Sequence, residues 1–460
     1  MASLSTSNVT SAFIDLATFD EIEKYLYGGP DATAYFVRET SKSTWFSQVP
    51  VVLSRASGFP AFGQEWSVSI SRAGDYLLHT WLRVQFPSVT VVNDQDNNHL
   101  LRWTRHLMHN LIRECCITFN DLVAARFDNY HLDFWSAFTV PAGKQNAYNN
   151  MIGNVGVLTQ GAVTLPAQTL NLPLPFFYSR DSGVALPTAA LPYNEMRINF
   201  SFRDWTELLM SVDTSKVGEQ RTVPVIGASP GNISAAPVLG GAQVWANYAI
   251  VSNDERKRMA CAPRDILIEQ VQTAPRQTFA PQNNPTPSFD VRFSHAIKVL
   301  FFSVRNRTAA GEWSNYMTAS PVHASGGGLA NFQPNGSSDP ILQTSLIYEN
   351  TNRLGQMGSD YFSLVNPWYH APVIPDLTGY HMYSYSLDFM CLDPMGSTNY
   401  GKLTNVSVVP EASSAAVTAA NGNGADGNGA DFAQTYEFII TAVNNNIVRI
   451  SGGALGFPVL

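Results

Sequence analysis

Charge is scarce in this sequence. Asp, Glu, Lys and Arg make up 14% of its 460 residues, against about 25% in an average soluble protein. The longest basic run, Arg256-Lys257-Arg258, directly follows Asp254 and Glu255 and reads as a solvated helix end. With a formal net charge of -8 and a pI of about 5.6, the chain lacks the clustered basic face of nucleic-acid binders, so no direct nucleic-acid contact is expected. Cysteine is nearly absent. The spacing of Cys115, Cys116, Cys261 and Cys391 fits neither a disulfide framework nor a zinc site, and free thiols in a reducing compartment are expected. No run of 18 apolar residues occurs, so no transmembrane helix is expected. Met1-Ala2-Ser3-Leu4-Ser5-Thr6 offers neither a basic nor an apolar leader region, so no secretory signal is expected. The N-x-S/T sequons at Asn8, Asn199, Asn232, Asn306, Asn335 and Asn405 then read as chance features of an Asn-rich chain.

What is present points to β structure. Apolar residues reach 45% and aromatics 12%, with 27 Pro and 32 Gly, the composition of many short strands joined by turns. The length suits two or three domains. One short helix is expected first. Thr18-Phe19-Asp20-Glu21 reads as a capping box, Phe19, Ile22 and Leu26 share a helical face, and Gly28-Gly29-Pro30 ends the element. Strand patterns dominate from Trp45. Trp66, Val68 and Ile70 alternate with Ser67, Ser69 and Ser71. Ala73-Gly74-Asp75 is a turn, and Tyr76 to Phe86 is a second strand. Further strands are expected at Cys116–Phe119, Glu195–Phe202 and Gln243–Val251, with loops at Pro141–Pro175 and Ser211–Gly241. A break follows near Ser252–Asp265, where Asp254 can cap a short helix to Ala260. Strands resume at Ile266–Val271, Val291–Phe293, Val299–Val304, Leu342–Tyr348, Met382–Phe389, Asn405–Val409, Tyr436–Ala442 and Ile447–Ile450. Arg305–Asp339 and Pro410–Asp431 read as exposed loops. One internal similarity bridges the break: the segment from Trp66 lies on that from Phe289 without gaps, matching Val68, Ser71, Ala73 and Leu77 to Val291, Ser294, Ala296 and Leu300. That placement suggests two β domains of one type.

Candidate chemistry is thin. Gly227-Ala228-Ser229-Pro230-Gly231 matches G-x-S-x-G but lacks the strand-turn-helix context of a nucleophile elbow. Gly422-Asn423-Gly424-Ala425-Asp426-Gly427 matches G-x-G-x-x-G without a βαβ unit, and Asp426 with Asp431 gives too few carboxylates for a calcium shell. His106 and His109, at i and i+3 with Glu114 beyond, can share a helix face toward a metal. Lacking the H-E-x-x-H pattern, they read as structural histidines. The pairs Asp20/Glu21 and Asp254/Glu255 read as helix starts. The apolar end, Ile447 to Leu460, is too short and Gly-rich to span a membrane and reads as a strand with a tail docked on a neighbouring subunit. No catalytic, cofactor-binding or metal residue is expected, and no enzyme. A secreted carbohydrate-active or lectin-like β-sandwich shares the aromatic-rich β pattern, but would need a signal peptide, which is not expected here.

Longer strings carry a more specific signal. Trp45-Phe46-Ser47-Gln48-Val49-Pro50, Phe62-Gly63-Gln64-Glu65-Trp66-Ser67-Val68 and Ser71-Arg72-Ala73-Gly74-Asp75-Tyr76 closely resemble the major capsid proteins of iridoviruses. So do Phe13-Ile14-Asp15-Leu16-Ala17-Thr18, the run from Leu172 to Asp181, and Leu191-Pro192-Tyr193-Asn194-Glu195-Met196-Arg197-Ile198-Asn199. Ser252-Asn253-Asp254-Glu255-Arg256, Leu392-Asp393-Pro394-Met395-Gly396-Ser397 and Ile450-Ser451-Gly452-Gly453-Ala454-Leu455-Gly456 continue the match over nearly the whole chain. Departures lie at Cys115-Cys116 and near Asn421–Asp431. The invertebrate iridescent viruses are the nearest in pattern.

The resemblance implies an all-β double jelly roll: two eight-stranded antiparallel sandwiches with a short N-terminal helix and minor helices in loops. It implies an N-terminal arm (1–35), a first jelly roll (36–255) and a second (264–460). It implies homotrimers of pseudo-hexagonal outline that tile an icosahedral shell with neighbouring capsomers and minor capsid proteins, over an internal membrane, assembled in the host cytoplasm. Arg305–Asp339 is then the expected outward tower loop. A minor or vertex jelly-roll protein of the same virion is the alternative.

Overall fold

Alternation of apolar and polar side chains builds the first barrel. Met196, Ile198, Phe200 and Phe202 are buried while Arg197, Asn199 and Ser201 between them are only partly so, as in a strand with one face in the core. The computed structural model describes residues 2–215, 220–318, 339–422 and 433–458. The Gly326-Gly327-Gly328 run, Asn335, Asp426 and Asp431 lie outside the described residues.

Residues 1–45 form one unit and 46–460 another. The first unit opens with helix α1 (Ala2–Ala17), whose Phe13, Ile14 and Leu16 are exposed. The helix expected after Thr18 lies before it instead. The Thr18 hydroxyl donates to the Asp15 carbonyl (2.7 Å) and its N–H to the Ile14 carbonyl (3.2 Å), so Thr18 closes a helix and cannot cap a new one. Past it, Glu21 pairs with Lys24, and only a single 3-10 turn, Glu23–Tyr25, forms.

In the second unit the first barrel comprises β1 (Phe46–Val52), β2 (Ser54–Gly58), β3 (Glu65–Ser69), β4 (Tyr76–Phe86), β5 (Ile112–Phe119), β6 (Leu122–Asp128), β7 (Gln168–Pro173), β8 (Met196–Phe202) and β9 (Gly241–Val251). The second comprises β10 (Arg264–Thr273), β11 (Phe289–Asp290), β12 (Ala296–Asn306), β13 (Ile341–Tyr348), β14 (Thr351–Gly358), β15 (His381–Ser384), β16 (Val406–Ala412) and β17 (Tyr436–Ser451). One sheet of the first barrel runs β1-β9-β4-β7, the facing sheet β2-β3-β8-β5-β6. In the second the orders are β10-β17-β12-β15 and β11-β16-β13-β14. With β2 set aside as an added edge, each barrel joins its first strand to its eighth, third and sixth, and its second to its seventh, fourth and fifth. That is the jelly-roll connection, written twice. The segments from Trp66 and Phe289 fall on equivalent strands, since β3 pairs β8 as β11 pairs β16.

The remaining strand expectations fare unevenly. Tyr76–Phe86 matches β4 residue for residue. The strands expected at Tyr436–Ala442 and Ile447–Ile450 are one, because the intervening asparagines are paired across the sheet: Gln272 donates to Asn444 (2.9 Å) and Asn446 to Gln270 (3.1 Å). Val291–Phe293 is not a strand, and Met382–Phe389 keeps strand form only to Ser384. The loop expected from Pro141 contains a helix, Ala142–Ile152, and β7. Helix Asn253–Cys261 starts one residue before Asp254, with Ser252 at the cap position and Asp254 and Glu255 in the first turn. Pro410–Ala412 ends β16, and Ser414–Ala420 is a helix that buries Ala416 and Ala419, so that segment is not wholly exposed.

Two residues of the Ala73-Gly74-Asp75 turn lock the corner before β4. A Cβ at Gly74 would lie 2.5 Å from the Tyr248 Cβ, so only glycine fits. The Asp75 carboxylate accepts from Arg256 Nε (2.7 Å) and Nη2 (3.0 Å) and from the Val251 N–H (2.9 Å), tying the helix that leaves β9 to the first barrel. Burial alone would raise the Asp75 pKa, but these donors hold it below the ordinary 3.8. A depressed carboxylate pKa gives stability that is complete above the unfolded value and lost as pH falls through the folded one.

Two outcomes follow from this packing. Trp66 stacks on Phe200 (4.9 Å between centroids) and meets Phe202 edge-on (5.6 Å), so Trp66→Ala should cost about 3–5 kcal/mol in urea unfolding; a loss under about 1 kcal/mol would contradict that packing. Asp75→Asn should be less stable than the parent at pH 6, with the gap narrowing as the pH falls below 3.8. A gap independent of pH would show that the carboxylate charge contributes nothing.

Candidate functional site: the seam between the two barrels

The site that the fold builds is a seam rather than a cleft. Strand β12 is buried over ten consecutive residues and β17 over its first nine. Period-two geometry explains how one strand serves two surfaces. Leu300, Phe302, Val304, Phe438 and Ile440 fill the second barrel's own core, while Val299, Phe301, Ile439 and Val443 join the core of the first. The first barrel answers with helix α2 (Leu107–Leu111), wholly buried, and α3 (Asn129–Thr139), whose N-terminus is capped by Asp128 accepting from the His131 N–H at 3.0 Å. Phe134 and Phe138 stack on Phe301 (6.0 and 5.5 Å), and Trp135 meets it edge-on (6.5 Å).

The segment that follows β12 completes the seam. Residues 311–317 are buried, although Arg305–Asp339 reads from sequence as an exposed tower loop. Residues 319–338 lie outside the described residues. Glu312 is gripped by Arg102 and Arg221 of the first barrel. The Trp313 indole donates to the Glu207 carbonyl at 2.8 Å, and the guanidiniums of Arg203 and Arg305 lie over its ring at 3.6 and 4.0 Å. Burial lowers the Arg203 pKa to about 10, leaving it charged at neutral pH.

Several buried charges at the seam are paired, within the second barrel or across to the first. Glu437 accepts from Arg305 Nη1 and from the Tyr130 hydroxyl of α3, both at 3.0 Å. Lys298, fully buried at the bulge of β12, donates to Glu269 (2.6 Å), which Arg180 of the first barrel also reaches at 3.1 Å. Asp133 of α3 accepts from His109 (2.7 Å) at one oxygen and from the Ser314 and Tyr316 hydroxyls (2.8 Å each) at the other. Burial opposes its charge, but the His109 hydrogen bond and the nearby imidazoles hold its pKa below the ordinary value.

The sequence candidates take their places around this seam. His106 and His109 do come together, their rings parallel with centroids 5.3 Å apart, but on different footings. His109 lies in α2, between Asp133 and the Tyr148 hydroxyl (2.7 Å); His106 sits at its cap position with φ +48° and no partner for either ring nitrogen. Burial drives the His106 pKa down to about 3, although Asp133 pulls the other way. Ser229 is exposed in a turn closed by Asn232 N–H to Ser229 carbonyl and Gly227 N–H to Ile233 carbonyl, with no helix after it. Beyond Gly422 the G-x-G-x-x-G match lies outside the described residues. All four cysteines are free, Cys115 buried and Cys261 exposed. The Asp20/Glu21 pair opens no α-helix. The C-terminal segment docks on its own chain: Ala454–Gly456 folds back on β17, and Leu455 N–H donates to Asn194 at 3.1 Å. Sequence reasoning missed α3 and residues 312–317. The available signal was the apolar run Val299-Leu300-Phe301-Phe302 in β12, since a strand buried on both faces does not alternate.

Two jelly rolls of identical connection, fused along a buried seam, define the double jelly-roll class. Solved structures agree on the fold: the PBCV-1 virus capsid model superposes with a TM-score of 0.73 at 20% identity over 93% of this chain and 100% of that one. The Faustovirus major capsid protein gives 0.69 at 11% identity over 92% and 93%. The family model for the major capsid protein N-terminus matches residues 34–251, and that for the large eukaryotic DNA virus major capsid protein matches 255–456. Over 100% of both chains, the sequence is 70% identical to the major capsid protein of Costelytra zealandica iridescent virus, 65% to that of Invertebrate iridescent virus 6 and 51% to that of Lymphocystis disease virus 1. The chain belongs to the family of large DNA virus major capsid proteins. It is a structural component of the virion shell, where such proteins assemble against neighbouring capsomers.

Removing one partner of a buried pair leaves an uncompensated charge and costs about 3–5 kcal/mol. Glu437→Ala, which strands Arg305, should lower the unfolding free energy by that amount in urea melts. A loss under about 1 kcal/mol would show that the seam tolerates an unpaired cation.

Proposed function

We propose that the chain acts as a homotrimer of pseudo-hexagonal outline, with no catalytic activity of its own. The observation that carries the reading is the double occurrence of one strand order in a single chain: three copies supply six like barrels, which approximate a hexagon. The proposed parts are an arm (1–35), a first jelly roll (36–255) and a second (264–460). Scarce charge supports extensive self-association, because obligate interfaces are large and apolar. So do Trp368, Tyr369 and Leu387, 72%, 74% and 69% exposed in one chain, of the kind that association covers. The acidic balance supports a shell that faces nucleic acid only indirectly. The resemblance extends the proposal to assembly in the host cytoplasm, with minor capsid proteins as further partners and an internal membrane close beneath.

Light scattering of the purified protein at micromolar concentration should give a trimer, and hydrolase assays should stay blank. A stable monomer would contradict the reading. Deletion of residues 1–30 should leave the trimer soluble but impair shell assembly; loss of the trimer itself would make the arm part of the core.

A further inference from the structure

A cavity of about 330 Å³ opens beside the seam, and its charged lining is Arg105, Asp133 and Asp376. His106 and Asp133 line it, and the His109 ring lies parallel to that of His106. All three are buried, and each offers a ligand atom within 4.8 Å of the other two. The reading of both histidines as ordinary structural groups accounts for His109 but not for His106. His106 is 8% exposed, and neither ring nitrogen has a hydrogen-bond partner. An unsatisfied buried polar group carries its desolvation cost uncompensated, a cost that a bound ligand at that point removes.

We propose that His106, His109 and Asp133 bind one divalent cation of the zinc class. Two imidazoles and a carboxylate form a nitrogen–oxygen donor set that zinc accepts with three protein ligands, leaving a fourth position for water. Here that position opens on the cavity. The supporting contacts are already built. Asp133 is oriented by the Ser314 and Tyr316 hydroxyls, and His109 by Tyr148, as metal ligands commonly are by their outer partners. A metal at His109 Nδ1 displaces the bond to Asp133 and moves the ring proton to Nε2. The Tyr148 phenol donates or accepts equally well, so that bond survives with its roles reversed. Arg105 opposes a cation, but Asp133 and Asp376 give the cavity two carboxylates against one guanidinium. The ion would join α2 to α3 and, through Asp133, to Ser314 and Tyr316 of the second barrel. It would be a clasp on the seam.

The test uses the full-length protein, stripped with EDTA and titrated with Co²⁺ and then Zn²⁺. Expected are the visible absorption of tetrahedral Co²⁺, its displacement by about one Zn²⁺ per chain, and a Tm several degrees higher at saturating zinc. His106→Leu sacrifices no hydrogen bond and should fold. It should lose the cobalt band and weaken zinc binding by more than about 100-fold. His106→Gln gives the same readout should leucine disturb α2. A parent protein that binds neither metal overturns the proposal. So does a folded His106 variant that binds as the parent does, because the ion then sits elsewhere.

Discussion

Strand β12 and the first nine residues of β17 are buried on both faces, and the rest of the molecule depends on that constraint. A strand of an isolated sandwich has one face in its core and one toward solvent. Here the second face is also sealed, by α2, α3 and the 312–317 segment. Separating the barrels would expose Phe301, Ile439 and Val443, break the pairs of Glu312 with Arg102 and Arg221 and of Glu269 with Arg180, and take the Tyr130 hydroxyl from Glu437. Buried ions are weak evidence for stability in themselves. Their value here is registry, since Arg180–Glu269, Arg102–Glu312 and Arg221–Glu312 are met at one mutual orientation of the barrels only.

That registry is what a tile requires. A shell subunit transmits its edges' positions through its own body, so two barrels free to hinge would blur the lattice contacts made at either end. The aromatic cluster of Phe134, Trp135, Phe138 and Phe301 supplies area, and the Trp313 ring under two guanidiniums supplies direction. Such rigidity is in keeping with the chain's membership of a capsid family.

Much of the fold was legible in the sequence because it rests on local pattern. The Trp66-Val68-Ile70 alternation and the Tyr76–Phe86 strand are written in period two. The match between the Trp66 and Phe289 segments marks a repeated strand order. What escaped was set by distant partners. Residues 312–317 look like loop because no periodicity marks a segment buried by another domain. Asn444 to Asn446 look like a turn until Gln270 and Gln272 stand opposite. Thr18 looks like a cap, but its hydroxyl is already spent on Asp15. The His106/His109 spacing was visible, yet Asp133, 24 residues beyond His109, reaches them only through the α2–α3 packing.

Native-state hydrogen exchange through a urea series measures the seam's role most directly, because it reports the opening free energy of each strand separately. If the seam makes one cooperative body of residues 46–460, amides of β4 and β9 in the first barrel and of β12 and β17 in the second should converge on a single unfolding free energy and midpoint. Opening of β12 and β17 at clearly lower urea, with β4 and β9 still protected, would contradict it and leave two independent barrels on a tether.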